Sequence, residues 1–136
     1  MIRYLIRTYS SSFISRWIIL LMDVGIVFIS FLMAYLIRFN FNYIEIDPYE
    51  VRIHALTITS IYLISFLITS SYSGILRHTG ISDVIRILKS GVISLSVLIV
   101  INLAIGFNGA GSIFYVSYSI LILHFLLSIF WLVGTR

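Results

Sequence analysis

Four long apolar runs divide the chain, at about residues 17–37, 53–72, 91–107 and 113–133, and short polar stretches separate them. A helix needs about 20 apolar residues, rising 1.5 Å each, to cross a bilayer core. The first run, WIILLMDVGIVFISFLMAYLI, has that length. The second is softer, with Thr and Ser distributed through it, and the helix of the third is expected to begin earlier, near Ser82. Ser, Thr and Gly are tolerated in such helices because the backbone hydrogen bonds stay internal. A lipid-facing barrel would instead alternate over segments of about ten residues, whereas these runs are apolar on both parities. The pattern therefore predicts an all-α fold, a polytopic four-helix transmembrane bundle with a cytoplasmic amphipathic helix at about 82–90.

Each run also carries a stripe of small or polar residues at helical spacing. These are Asp23, Ser30 and Ala34 in the first and Thr59, Tyr62, Ser65 and Thr69 in the second. The third has Gly91, Ser94, Leu98 and Asn102, and the fourth has Ser117, His124 and Ser128. Small and polar faces are the ones that membrane bundles turn inward.

Composition removes the soluble alternative. Hydrophobic residues make up 60% of the 136 and charged residues 10%, against roughly 25% charged in soluble domains. Mean hydropathy is +1.11. A chain this short buries only about 60–70% of its unfolded surface, too little to hide so much apolar area from water. The absence of Cys removes disulfides, thiol catalysis and cysteine metal sites.

The nine basic residues set an orientation. Arg3, Arg7 and Arg16 precede the first run, Arg38 and Arg52 follow it, and Arg77, Arg86 and Lys89 lie between the second and third. None lies between the third and fourth, and Arg136 ends the chain. The positive-inside bias, seven against two, places both termini and the loop 73–90 in the cytoplasm. The net charge of +4 then serves sorting and attraction to anionic headgroups. A nucleic-acid partner would require the charge to cluster on a water-exposed fold, and none is expected. The first run is too long for a signal-peptide core and lacks a small-residue cleavage pattern. Residues 1–16 mix Tyr4, Leu5, Ile6, Tyr9, Phe13 and Ile14 with Arg and Ser; they read as an interfacial segment, with a disordered basic tail as the alternative.

The loops are small. The outer loop 38–52 is too short for a domain, its Phe and Tyr suit an interface belt, and Pro48 is placed to start a turn of helix. The Gly-rich outer turn NGAGS makes the third and fourth runs antiparallel neighbours. In the cytoplasmic loop, Ser82 is a potential N-cap and Asp83 sits in a first turn. Ile81, Val84, Ile85 and Leu88 form one side, with Arg86 and Lys89 off it.

Asp23 is the sharpest single feature, because a carboxylate inside hydrocarbon is costly and normally has a partner or a task. It is either a packing residue held by Arg86, Lys89, a Ser hydroxyl or His124, or a group that handles substrate or a proton. His124 lies near mid-helix and reads as a hydrogen-bonded interior residue. His54 and His78 are expected at opposite membrane surfaces, so no haem-ligand pair forms. One buried Asp and one buried His do not make a metal set. Asn102 reads as a helix–helix hydrogen-bonding residue. No GxxxxGK[ST], HExxH, GxSxG or GxGxxG string occurs. No cofactor, metal or catalytic residue is therefore assigned to this chain, which is expected to be inactive alone.

Three stretches resemble the N-terminal membrane domain of the bacterial membrane-anchored nucleotide-sugar 4,6-dehydratase/epimerase family of capsular and surface polysaccharide biosynthesis. In SRWIILLMDVGIVFISFLMAYLIRF, Asp23 is followed fifteen residues later by the Arg38–Phe39 pair, as in that family's first helix. In YSGILRHTGISDVIRILKSG, Tyr72, Gly74 and Arg77 and then Ser82, Asp83, Arg86 and Lys89 resemble its cytoplasmic loop. SIFYVSYSILILHFLLSIFWLVGTR is similar to its last helix through Ser112, Ile113 and Arg136, with Gly111 in place of the family's Pro. Membrane phosphoglycosyltransferases share much of this pattern. The resemblance implies a membrane anchor in the bacterial inner membrane, with both termini inside, and a cytoplasmic NAD(P)-dependent catalytic domain after residue 136. Its implied partners are the bilayer, that domain, and either a second copy or other glycan-assembly enzymes. The alternatives are the membrane domain of a polyprenyl-phosphate sugar-1-phosphate transferase and a small transporter or membrane partner subunit.

Overall fold

The computed structural model describes residues 2–70, 81–107 and 113–135, with side chains from Arg16 onward. It is an all-α bundle of four helices: α1 (Ile2–Arg38), α2 (Pro48–Thr69), α3 (Ile81–Phe107) and α4 (Tyr118–Gly134). Three of them contain stretches long and apolar enough to cross a membrane, namely Arg16–Arg38, Pro48–Thr69 and Ile81–Phe107. The helices form a ring in which α1 packs on α2 and α4, and α3 packs on α2 and α4.

The stretch at 2–16 continues into the first apolar run as one helix, and residues 81–90 are the opening turns of α3. In those turns the side facing the bundle is Asp83, Ile87 and Ser90, while Ile81, Ile85 and Leu88 face outward. The fourth helix starts at Tyr118, later than the apolar run suggests. Its 17 residues span about 25 Å, short of a hydrocarbon core of about 30 Å. The reason for the late start is that side chains from other helices take the backbone groups of the preceding segment. His54 Nε2 donates to the Ile113 carbonyl at 2.7 Å. Asn102 Nδ2 donates to the Val116 carbonyl, and the Val116 N–H donates back to Asn102 Oδ1 at 3.1 Å. Non-helical backbone near a bilayer is tolerated where protein groups satisfy it in this way.

The turn between α1 and α2 is closed by local chemistry. The Phe41 N–H bonds to Leu36 O and the Asn40 N–H to Ile37 O. Asn40 is left-handed at φ 49°, a Schellman closure with Asn where Gly is usual. Phe41 is also left-handed, at φ 59°, a conformation that costs a side-chain-bearing residue about 1–2 kcal/mol. A 3-10 turn at Tyr43–Glu45 follows, capped by the Asn42 side chain on the Ile44 N–H. Asp47 then caps α2 through the Tyr49 N–H at 2.8 Å, with Pro48 at the first helical position.

The burial pattern is inside-out relative to a water-soluble fold. Buried polar or charged residues include Asp23, Ser30, Ser65, Ser90, Ser94, Asn102, His124 and Ser128. Large apolar residues such as Leu21, Ile29, Leu56, Ile68, Val100, Leu126 and Phe130 are exposed along the helices. Apolar surface left outward costs about 25 cal/mol per Å² in water and nothing comparable in lipid, where interhelical packing and hydrogen bonds hold helices together.

Candidate functional site

The polar groups of the interior sit in layers. Two contacts fix the register. Tyr35 of α1 meets His54 of α2, ring centroids 6.4 Å apart. His124 Nε2 of α4 donates to the Val27 carbonyl of α1 at 3.2 Å. In the antiparallel α1–α2 pair the first contact sets Val27 level with Tyr62 and Ser30 level with Thr59. The rings agree, because Tyr62 reaches across the bundle to His124 at 5.0 Å, nearly perpendicular. Phe31 closes the other side of that imidazole at 5.9 Å.

His124 and Ser30 are wholly buried, and Tyr62 is 1% exposed. Because a carbonyl only accepts, His124 Nε2 carries the proton of that bond, and in the neutral ring Nδ1 presents a lone pair. The Tyr62 hydroxyl approaches Ser128 without reaching hydrogen-bond geometry. The Ser128 hydroxyl itself donates to Phe125 O at 3.0 Å. Ser90 and Ser94 are likewise turned back on their own helix, bonding Ile87 O and Ser90 O, each at 2.8 Å. Such back-bonding satisfies a hydroxyl inside an apolar interior without a partner helix. Gly91 lies between them, where an added Cβ would meet Phe125 at 3.3 Å and Ile129 at 3.5 Å. The small residues of α3 are thus what lets α4 approach.

The other sequence candidates are distributed over the molecule. Asp23 is buried on α1 and takes part in a polar or electrostatic interaction. Asp83 is buried in the first turn of α3, with Oδ2 shielded from solvent and unpartnered. Arg86 is half-buried and engaged, Lys89 is exposed, and Arg38 is the exposed last residue of α1. Tyr72, Gly74 and Arg77, as well as His78, lie outside the described residues. Asn102 pairs with Val116 and not with the His124 layer. Among the described residues no three His, Cys, Asp or Glu side chains converge on a common point.

His54, expected near a membrane surface and assigned no bonding role, is buried within the bundle and ties α2 to the segment before α4. A signal was available, since His54 shares a helical face with Ile58, Tyr62 and Ser65, all buried.

The chain matches no protein-family model, no curated protein and no solved structure. The layered polar interior and the apolar exterior are therefore the observations on which a functional reading stands. Their chemistry is that of helix association in lipid.

Proposed function

We propose that the chain is the membrane-anchoring domain of a polysaccharide-biosynthesis enzyme, a nucleotide-sugar dehydratase or epimerase, and that it holds a cytoplasmic catalytic domain at the inner leaflet of a bacterial membrane. The observation that carries the anchoring part is the inversion of burial: buried Asp23, Ser30, Asn102 and His124 inside a shell of exposed Leu, Ile, Val and Phe. The resemblance around Asp23, Arg38–Phe39 and Ser82–Lys89 supports the choice of enzyme class. The seven-to-two distribution of basic residues supports four crossings with both termini in the cytoplasm. In this reading α4 crosses together with the segment pinned by His54 and Asn102. NAD(P) belongs to the catalytic domain, and the four-helix unit supplies location.

The test is to read the coding sequence beyond Arg136 and to assay the whole product. A Gly-rich nucleotide-binding loop followed by a dehydratase core, with NAD(P)-dependent turnover of a nucleotide sugar in the membrane fraction, is the expected result. Deleting residues 1–136 should then move the activity to the soluble fraction. A reentrant helix with a basic catalytic region would overturn the enzyme class in favour of a phosphoglycosyltransferase. A stop codon after Arg136 would overturn the anchor reading.

A further inference from the structure

Four polar atoms that no protein group satisfies fall in two adjoining layers of the bundle: Ser30 Oγ, Thr59 Oγ1, Tyr62 OH and His124 Nδ1. The register described above sets Ser30 level with Thr59, and Val27, Tyr62 and His124 together one turn away. Buried polar groups cost free energy unless they are hydrogen-bonded. Ser90, Ser94, Asn102 and Ser128 all have backbone partners, and the other two unsatisfied buried atoms among the described residues, His54 Nδ1 and Asp83 Oδ2, lie in the opening turns of α2 and α3. Four of the six such atoms thus belong to two adjoining layers of the mid-bundle.

We propose that the middle of the bundle is an internal hydration site, in which one or two water molecules link Tyr62 and His124 to Ser30 and Thr59. The donor and acceptor inventory selects the ligand. In the neutral ring with its proton on Nε2, Nδ1 needs a donor, while the Tyr62, Ser30 and Thr59 hydroxyls each need an acceptor. Water does both and bonds to two to four groups when buried. A cation would find only neutral ligands in these layers, the nearest buried carboxylate on α1 being Asp23, a full turn beyond Val27. The site joins α1, α2 and α4, so its water completes the hydrogen bonding of three helices at the level where His124 already bonds the Val27 carbonyl.

The test is 15N NMR of the full 136-residue chain, labelled at histidine and reconstituted in lipid nanodiscs, with His124 assigned by a His124→Phe variant. The expected spectrum has Nδ1 of His124 at the shift of a hydrogen-bonded lone pair, with cross-relaxation from water protons to the Tyr62 ring. Tyr62→Phe should move Nδ1 toward the shift of a bare lone pair and leave the Nε2–H resonance nearly unchanged. A bare Nδ1 in the wild-type chain overturns the proposal. So does a hydrogen-bonded Nδ1 without water cross-relaxation, which would mean that a protein donor has swung in. A resonance that titrates with added Na⁺ or K⁺ overturns it in favour of a cation. If Tyr62→Phe does not fold, the wild-type spectrum and Thr59→Val decide by the same criteria.

Discussion

Replacing Asn102 by Leu should cost more than its hydropathy suggests. The change makes α3 more apolar, and on lipid-transfer grounds alone it should help. The structure predicts the opposite, because the Asn102 amide is the partner of both the N–H and the carbonyl of Val116. Val116 is 5% exposed, and its stretch of chain is not helical, so Leu strands two buried backbone groups. Each unsatisfied group costs about 1–3 kcal/mol. Interhelical hydrogen bonds measured inside membrane proteins average about 0.6 and reach about 1.7 kcal/mol, because the unfolded chain finds other partners. Two hydrogen bonds on the membrane scale give about 1–3 kcal/mol. The control is Ser96→Leu on the same helix, an exposed hydroxyl that bonds only to Val92 O within its own helix; it should stay within about 0.5 kcal/mol of wild type. Reversible unfolding in mixed micelles, followed by far-UV circular dichroism, measures both. An Asn102→Leu variant as stable as Ser96→Leu would refute the reasoning, since the Val116 segment would then be held by something else.

Gly91→Leu should destabilise by about 1–3 kcal/mol through overpacking against Phe125 and Ile129, whereas Gly25→Ala, with nothing within 4 Å of the added Cβ, should be neutral or gain up to about 1 kcal/mol; thermal unfolding in detergent compares them, and equal midpoints would contradict the close α3–α4 approach. Asn40→Gly should be tolerated, while Asn40→Val, a β-branched residue at φ 49°, should cost about 1–2 kcal/mol; the same unfolding assay reads it, and a neutral Val variant would contradict the Schellman closure. Asp23→Asn should cost about 1 kcal/mol and Asp23→Leu more, because Asp23 is buried and engaged; a Leu variant at least as stable as Asn would remove the packing role, and a stable Asn variant that abolishes activity of the proposed full-length enzyme would assign Asp23 to chemistry.

The inward faces were legible because a helix in lipid writes its packing as a stripe of small and polar residues. Asp23, Ser30 and Ala34, then Gly91, Ser94, Leu98 and Asn102, then His124 and Ser128, are all buried. The start of α4 was not legible. Residues 113–117 are as apolar as the helix that follows, and hydropathy does not report that His54 and Asn102 take the carbonyls of Ile113 and Val116. The outward face of residues 81–88 was visible as an apolar side, but the first-turn preference that explains Asp83 says nothing of whether it is buried, and it lies on the buried side opposite. The Tyr62–His124 contact joins helices that are not neighbours in the ring, so no spacing within one run predicts it.

The proposed anchor requires four membrane crossings with both ends inside, and single-cysteine labelling tests this most directly, because the sequence has no Cys. Cysteines at Asn42, Ser82, Gly109 and Thr135 probe successive ends of the four helices. In intact cells an impermeant thiol reagent should label positions 42 and 109, and positions 82 and 135 only after permeabilisation. Labelling of position 82 from outside would contradict the orientation. Labelling of 135 together with 109 would contradict the fourth crossing, leaving α4 on the outer surface.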